Sequence, residues 1–232
     1  MSWLFAAAYD PFMRRTERAC LSDWRHDLLG RLSEPIRAKR VLEIGAGTGA
    51  NLAHYPPTLE RLVLTDPEEH MLTRLRRRPE AARAEVIRAD VSALPFEAGS
   101  FDAVVSTLVL CSVPDPAQAL AEVLRVLRPG GAFLFLEHVA AEDAPSRLRW
   151  QARVEPIWSR LAGNCHLTRG TEAAIARAGF TIESLTKESM RKALPIVRPT
   201  IRGVATKPSE GAGANTADSA DSADSADSAD SN

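Results

Sequence analysis

The sequence predicts an α/β fold: a doubly wound, mostly parallel seven-stranded sheet with helices on both faces. Three observations carry that reading. Short apolar runs bounded by turn residues alternate with segments of helical periodicity, the pattern of strands and crossover helices in one sheet. The first run ends in a glycine cluster and the second in an aspartate, which puts polar features at strand ends. The last two runs have no convincing crossover helix between them, so they form an antiparallel pair at the sheet edge.

The elements follow in order. Residues 1–36 read as a helical cap, with Leu21, Trp24, Leu28 and Leu32 on one face. The body, 37–207, opens with strands over 41–44, 61–66, 84–89 and 101–106. A helix over 116–127 is the clearest: Asp115 is its N-cap, Pro116 sits at N1 and Gln118 completes a capping-box spacing. Leu120, Val123, Leu124 and Leu127 give it an apolar stripe, and Pro129-Gly130-Gly131 stops it. The fifth strand spans 132–137. A long helix over 145–161 places Trp150, Val154, Ile157 and Leu161 on one face, with Pro156 expected to kink or split it. A short helix over 171–178 precedes the last two strands, 180–185 and 200–206.

Residues 208–232 differ from all of this. They carry five Ala-Asp-Ser repeats, a period that fits neither helix nor strand, and are expected to be disordered. They also hold six acidic residues and no Lys or Arg, so the formal charge of −1 hides +5 on residues 1–207. That is too weakly basic for a nucleic-acid binder, and the Arg74, Arg76, Arg77, Arg78 run lacks the interleaved aromatics of one. It reads as a solvated helix end. Three cysteines, Cys20, Cys111 and Cys165, make no disulfide framework, and no CxxC or Cys/His spacing reads as a metal site. A reducing cytoplasm is the expected compartment. The apolar opening, Met1 to Ala8, is too short to span a membrane and lacks the basic flank of a signal peptide. Peripheral membrane contact stays open.

The chemistry starts at Glu43-Ile44-Gly45-Ala46-Gly47-Thr48-Gly49, where a strand runs into glycines that open an expected helix. Such glycines permit a tight turn and close approach of a ligand to the backbone. Asp66 ends the second strand, where a carboxylate accepts both hydroxyl protons of a ribose. Asp90 ends the third, placed to accept from an adenine amino group or to cap a helix.

These residues resemble the class I S-adenosylmethionine-dependent methyltransferases, a Rossmann-like fold, over about 37–140. The Leu127-Arg128-Pro129-Gly130-Gly131 block is similar too. The resemblance implies S-adenosylmethionine as cofactor. Gly45, Ala46, Gly47 and Gly49 would line its methionine part, and Glu43 would anchor the loop or the ammonium. Asp66, followed by Pro67, would hold the ribose. Asp90 and Val91 would face the adenine edge, with Thr107 and Leu108 as the near wall. Further blocks resemble the thiol S-methyltransferase branch of the methyltransferase-like family. They are Gly47-Thr48-Gly49-Ala50-Asn51, Tyr55-Pro56-Pro57, 107–113, 137–142, Trp150-Gln151, Pro156-x-Trp158, Cys165-x-Leu167-Thr168-Arg169 and Arg198-Pro199-x-Ile201-x-Gly203. The N-terminal hydrophobic anchor of membrane-bound members is absent, and the Asn164-Cys165-His166 block departs at its other positions.

The implied reaction is methyl transfer to a small-molecule acceptor, a thiol by resemblance. The alternatives are a phospholipid amine, a quinone-type ring, or a noncatalytic cofactor-binding or scaffold protein. His138, just past the fifth strand, is the candidate base or a structural histidine, and Glu137 is similar, a second candidate base or else a supporting or helix-capping carboxylate. Arg169 holds an anionic substrate or thiolate, or else a surface ion pair; His166 shares its loop. Trp150, Trp158 and Phe180 wall an acceptor pocket or belong to the core. Cys111 and Cys165 read as packed thiols, since transfer from a sulfonium needs no enzyme intermediate. Tyr9, Asp10 and Phe12 form an expected lid over the cofactor.

Overall fold

A computed structural model describes residues 3–209 of the chain, with side chains from Asp10 onward. The expected disorder over 208–232 lies, from Glu210 on, outside the described residues, as does the side chain of Tyr9.

The sheet has seven strands: β1 Arg40–Ile44, β2 Arg61–Asp66, β3 Glu85–Arg88, β4 Phe101–Thr107, β5 Leu127–His138, β6 Thr181–Ser189 and β7 Pro199–Thr206. Their order is β3-β2-β1-β4-β5-β7-β6, with β1 to β5 parallel and β7 antiparallel to both its neighbours. The expected edge pair is present. The order reverses between β1 and β4, so the crevice beyond their carboxyl ends is where such a sheet binds ligands.

Six α-helices cover the faces: α1 Trp3–Thr16, α2 Ser22–Gly30, α3 Glu69–Leu75, α4 Pro116–Val126, α5 Pro145–Leu161 and α6 Thr171–Arg177. A π turn, Glu17–Leu21, joins α1 to α2. The alternation of strand side chains divides the core in two. Val41, Leu64, Val105, Leu134 and Leu136 face Leu21, Leu28, Leu29 and Leu32 of the N-terminal helices. Leu42, Ile44, Val63, Val104, Phe133 and Phe135 face Leu120 and Val123 of α4. The same parity sends Glu43 and Thr107 toward the N-terminal helices.

Four expectations need correction. No α-helix opens at the glycine loop: turns lead to a single 3-10 turn, Leu52–His54, and Pro56-Pro57 blocks any extension. Helix α4 ends at Val126, because β5 already begins at Leu127, which pairs with Phe101 ahead of Gly130-Gly131. Its cap is half of a capping box: Asp115 accepts from the Ala117 and Gln118 amides, but the Gln118 side chain reaches Ser92 O. Helix α5 is not split at Pro156. Gln151 ties it down by accepting from Ala141 N and donating to Val139 O and Ile196 O. That anchorage turns Trp150, Ile157 and Leu161 outward, each at least 60% exposed, so Trp150 walls no pocket. Among the described residues no helix is long and apolar enough to cross a membrane.

Candidate active site

The loop after β1 is held by backbone and by one carboxylate. Ala46 N donates to Thr65 O, and Gly49 N to Ala46 O. Asp66, 7% exposed, accepts from Gly47 N at 2.9 Å on one oxygen and from Glu68 N at 2.8 Å on the other. Burial nevertheless pushes its carboxyl above the usual range. Gly45, Gly47 and Gly49 all have positive φ, from 56° to 82°, a region costly to a side chain. Their surroundings differ. A Cβ on Gly45 would lie 2.5 Å from Val109 Cγ2, and one on Gly49 2.7 Å from Leu52 Cδ1. A Cβ on Gly47 would meet nothing within 4 Å. The loop is therefore packed against protein at its two ends and open at its middle. An open glycine beside a buried carboxylate fits a ligand that brings hydroxyls close to the backbone.

Beneath the loop lies a buried polar network in which Arg25 and Glu17 are the members the sequence left unmarked. Glu43 accepts from Tyr55 OH at 2.7 Å and from Asn51 Nδ2 at 2.9 Å. Asn51 also donates to Thr107 Oγ1 at 3.1 Å. Arg25 of α2 donates to Asn51 Oδ1 at 2.7 Å and Thr107 Oγ1 at 2.9 Å, and pairs with Glu17 at 3.0 Å. Burial pushes the Glu43 carboxyl up to about 7, against the pull of the Tyr55 and Asn51 hydrogen bonds and of the Arg25 charge. The helix register that marks Leu21, Trp24 and Leu28 as core also places Arg25 beside them. Only the strand parity of Glu43 hints that a cation belongs there.

Other expected donor-site residues are distributed along the same edge. Thr107 and Val91 are buried, Pro67 is exposed, and Leu108 has φ 59°. Asp90 is exposed, and its Oδ1 accepts from Ser92 N and Ser92 Oγ in a local turn. Of the expected lid, Asp10 reaches the loop, accepting from Thr48 Oγ1 at 2.6 Å, whereas Phe12 is 63% exposed. Of the basic run, Arg78 donates to Thr48 O, and Arg76 pairs with Glu69.

The acceptor-side candidates need revision. Glu137 is fully buried and receives Ser106 Oγ at 2.6 Å, Val109 N at 3.2 Å and Leu110 N at 3.1 Å. It holds the loop in which Leu108 is left-handed, and burial pushes its carboxyl up to about 7. Arg169 donates to Leu110 O and Val113 O, clamping that loop from the other side. Among the described residues its guanidinium bonds are to these two carbonyls and not to a surface carboxylate. His166 Nδ1 lies 3.1 Å from Glu155. Phe180 packs on Phe133 at 5.3 Å between ring centroids and belongs to the core. His138 Nε2 lies 2.9 Å from Cys165 Sγ, and its buried Nδ1 has no partner among the described residues. Cys165 is no simple packed thiol. The neighbouring Cys111 thiol, together with His138, pulls the Cys165 thiol well below the usual range, while Cys111 is pushed well up.

Comparisons with known proteins agree with this geometry. Residues 42–135 match the methyltransferase-domain family. Human thiol S-methyltransferase TMT1A is 38% identical over 208 residues, 88% of this chain and 83% of the relative. The chain belongs to the same methyltransferase family as TMT1A. A demethylmenaquinone methyltransferase of Clavibacter sepedonicus is 39% identical over 104 residues, 44% of this chain and 42% of that protein. A solved S-adenosylmethionine-dependent methyltransferase of Thermotoga maritima shares the fold, with TM-score 0.64 and 20% identity over 88% of this chain and 97% of that one. This methyltransferase thus uses S-adenosylmethionine and acts on a small molecule.

Proposed function

We propose that this methyltransferase moves a methyl group from S-adenosylmethionine to the sulfur of a small thiol. The likeness to TMT1A carries the acceptor class, because it covers 88% of the chain and so extends well past the donor-binding segment 42–135. The quinone-type relative covers 44% of the chain, half as much as TMT1A does. The three free cysteines suit a reducing, cytoplasmic setting.

In this reading Glu43, Gly45, Ala46, Gly47 and Gly49 receive the methionine part of the donor. Asp66 and Pro67 take the ribose, Asp90 and Val91 the adenine edge, and Thr107 and Leu108 the near wall. The donor supplies a methyl already activated by its sulfonium charge. The chain has to align the acceptor sulfur with it and keep water out. Each Asp66 oxygen carries one backbone hydrogen bond and keeps a lone pair for a ribose hydroxyl. The Glu43–Asn51–Thr107–Arg25 network holds the strand ends on either side of the crevice in register. The thiol side falls to His138, since Glu137 and Arg169 are committed to the 108–113 loop.

The test is transfer from labelled S-adenosylmethionine to a panel of alkyl thiols, amines and phenols, with Asp66→Ala as control. Thiol methylation that the variant loses supports the reading. Turnover confined to amines or phenols retires the thiol assignment and leaves the donor site standing.

A further inference from the structure

Three segments remote in sequence bring a soft ligand set together beyond the carboxyl ends of β4 and β5. Cys111 follows β4, His138 ends β5, and Cys165 lies between α5 and α6. Their ligating atoms lie within 4.8 Å of one another, and His138 Nε2 is 2.9 Å from Cys165 Sγ. In a tetrahedral zinc site, with Zn–N of about 2.0 Å and Zn–S of about 2.3 Å, such atoms sit roughly 3.5–3.8 Å apart. The observed spacings bracket that range, so small side-chain rotations are enough to form the site.

The backbones that carry the ligands are already fixed. His166 N donates to Cys111 O at 2.8 Å, and Asn164 Nδ2 donates to Ser112 O at 2.8 Å. Arg169 clamps Leu110 O and Val113 O, and Glu137 binds the amides of Val109 and Leu110. The two cysteine-bearing loops are thus cross-linked on both sides of the cluster. Two sulfurs and one imidazole, with no carboxylate among them, select a thiophilic divalent ion over a hard one. Two thiolates and a neutral imidazole also cancel the charge of such an ion, leaving no net charge in a largely buried place.

The geometry points to a zinc-type site made by Cys111, His138 and Cys165, whose fourth position takes the acceptor thiol. Three protein ligands and an open position are the pattern of catalytic zinc, where four protein ligands mark structural zinc. This role in catalysis rests on the thiol reading above; the ligand set does not. On coordination the thiol releases its proton to water and its sulfur binds the metal. That sulfur's electron pair then forms the new bond to the donor methyl. The methyl's bond to the sulfonium sulfur breaks, and its pair returns to that sulfur, leaving a thioether and a neutral donor product.

The experiment uses the full-length chain, reduced and stripped with a chelator, then titrated with Co2+ and Zn2+. One equivalent of Co2+ should give a thiolate-to-cobalt charge-transfer band, which Zn2+ displaces. Cys111→Ser, Cys165→Ser and His138→Ala should each weaken binding beyond the roughly 10–100-fold that loss of an outer-shell partner costs. Cys20→Ser should leave it unchanged. Should those variants misfold, alkylation of the wild-type chain decides: Zn2+ must protect Cys111 and Cys165 together and leave Cys20 unaffected. No band and no protection at micromolar metal overturn the site, and so does a Cys111–Cys165 disulfide forming in its place under reductant. Thiol methylation that survives stripping at full rate overturns the activating role. Metal binding with turnover on amines alone refutes the thiol reading and leaves the metal site in place.

Discussion

Two glycines of the donor loop should fail in different ways when given the same methyl group. Gly45 and Gly47 have φ 60° and 56°, so alanine at either carries a left-handed strain of about 1–2 kcal/mol. At Gly45 the new Cβ also lies 2.5 Å from Val109 Cγ2 and 2.8 Å from Cγ1. Val109 cannot retreat freely, because its amide is bonded to Glu137. Overpacking there adds about 1–3 kcal/mol. Gly45→Ala should therefore lose roughly 2–5 kcal/mol, a Tm drop of about 4–20 °C for a chain of this size. Gly47→Ala carries the backbone strain alone, about 2–8 °C, since its Cβ meets nothing within 4 Å. That open space is where the donor is proposed to lie, so Gly47→Ala should raise the donor Kd at least about tenfold, or 1.4 kcal/mol. Calorimetric melting and titration with S-adenosylmethionine measure both quantities on both variants. Undiminished donor affinity in Gly47→Ala would refute the reasoning that the open glycine marks the ligand's position.

Further expectations follow from the same network and its neighbours. The Glu43 carboxyl is raised to about 7 in the fold from 4.5, so the folded state keeps a proton that the unfolded chain has released. Its contribution is fully present below about pH 4.5 and lost as pH rises through 7, a change of about 3 kcal/mol. Urea unfolding at pH 5 and pH 8 should show that fall in the wild type and a flatter profile in Glu43→Gln; identical slopes would count against it. Arg25→Met should cost about 3–5 kcal/mol and weaken donor binding, because Asn51 and Glu17 lose a buried cationic donor. Donor titration at wild-type affinity in that variant would separate the network from the site. Asp115→Ala removes the α4 cap and should lower Tm by roughly 2–4 °C, from a loss of about 1 kcal/mol. Gly203→Ala should not fold, since its Cβ would lie 2.1 Å from Ser184 O and 2.7 Å from Phe135 Cζ; a soluble, cooperative variant would show that β6 can shift.

Strands β1, β2, β4 and the core of β5 were legible because they are buried on both sides and read as apolar runs between turn residues. Only strand ends moved: β5 starts five residues early at Leu127, which pairs with Phe101 of β4 ahead of the glycines, and β6 runs on to Ser189, because pairing with β7 adds residues that have no apolar signature. The glycine loop was legible as a tight turn after β1 but not as the absence of a following helix. The acceptor side was hardly legible at all. Glu137, His138 and Arg169 are polar residues at a strand end or in a loop, which is where function is expected. Yet two of the three have their polar atoms taken by backbone groups of one neighbouring loop. Hydrogen-bond destinations of that kind depend on the tertiary path of 108–113 and leave no trace in spacing. Cys111, His138 and Cys165 are 27 residues apart at each step, far from any metal-binding motif, and only the return of the α5–α6 connection to the sheet edge unites them.

That return has a consequence for how the two halves of the reaction are built. The donor half rests on β1, β2 and β4 and is braced from the N-terminal side through Arg25, Asn51 and Asp10. The acceptor half rests on β4 and β5 and is braced from the C-terminal side through Arg169, Asn164 and Glu137. Strand β4 and the strained turn at Leu108 belong to both. Thr107 accepts from the donor-side network, while Val109 and Leu110 are bound by the acceptor-side carboxylate. Leu108 lies between these two sets of bonds, and its left-handed φ is the local cost of turning the chain from one to the other. On the proposed reading, a shift of that turn would move Thr107 against the donor and Cys111 against the acceptor together. The 107–111 segment would then fix the line between donor methyl and acceptor, the one geometric quantity that an in-line methyl transfer requires.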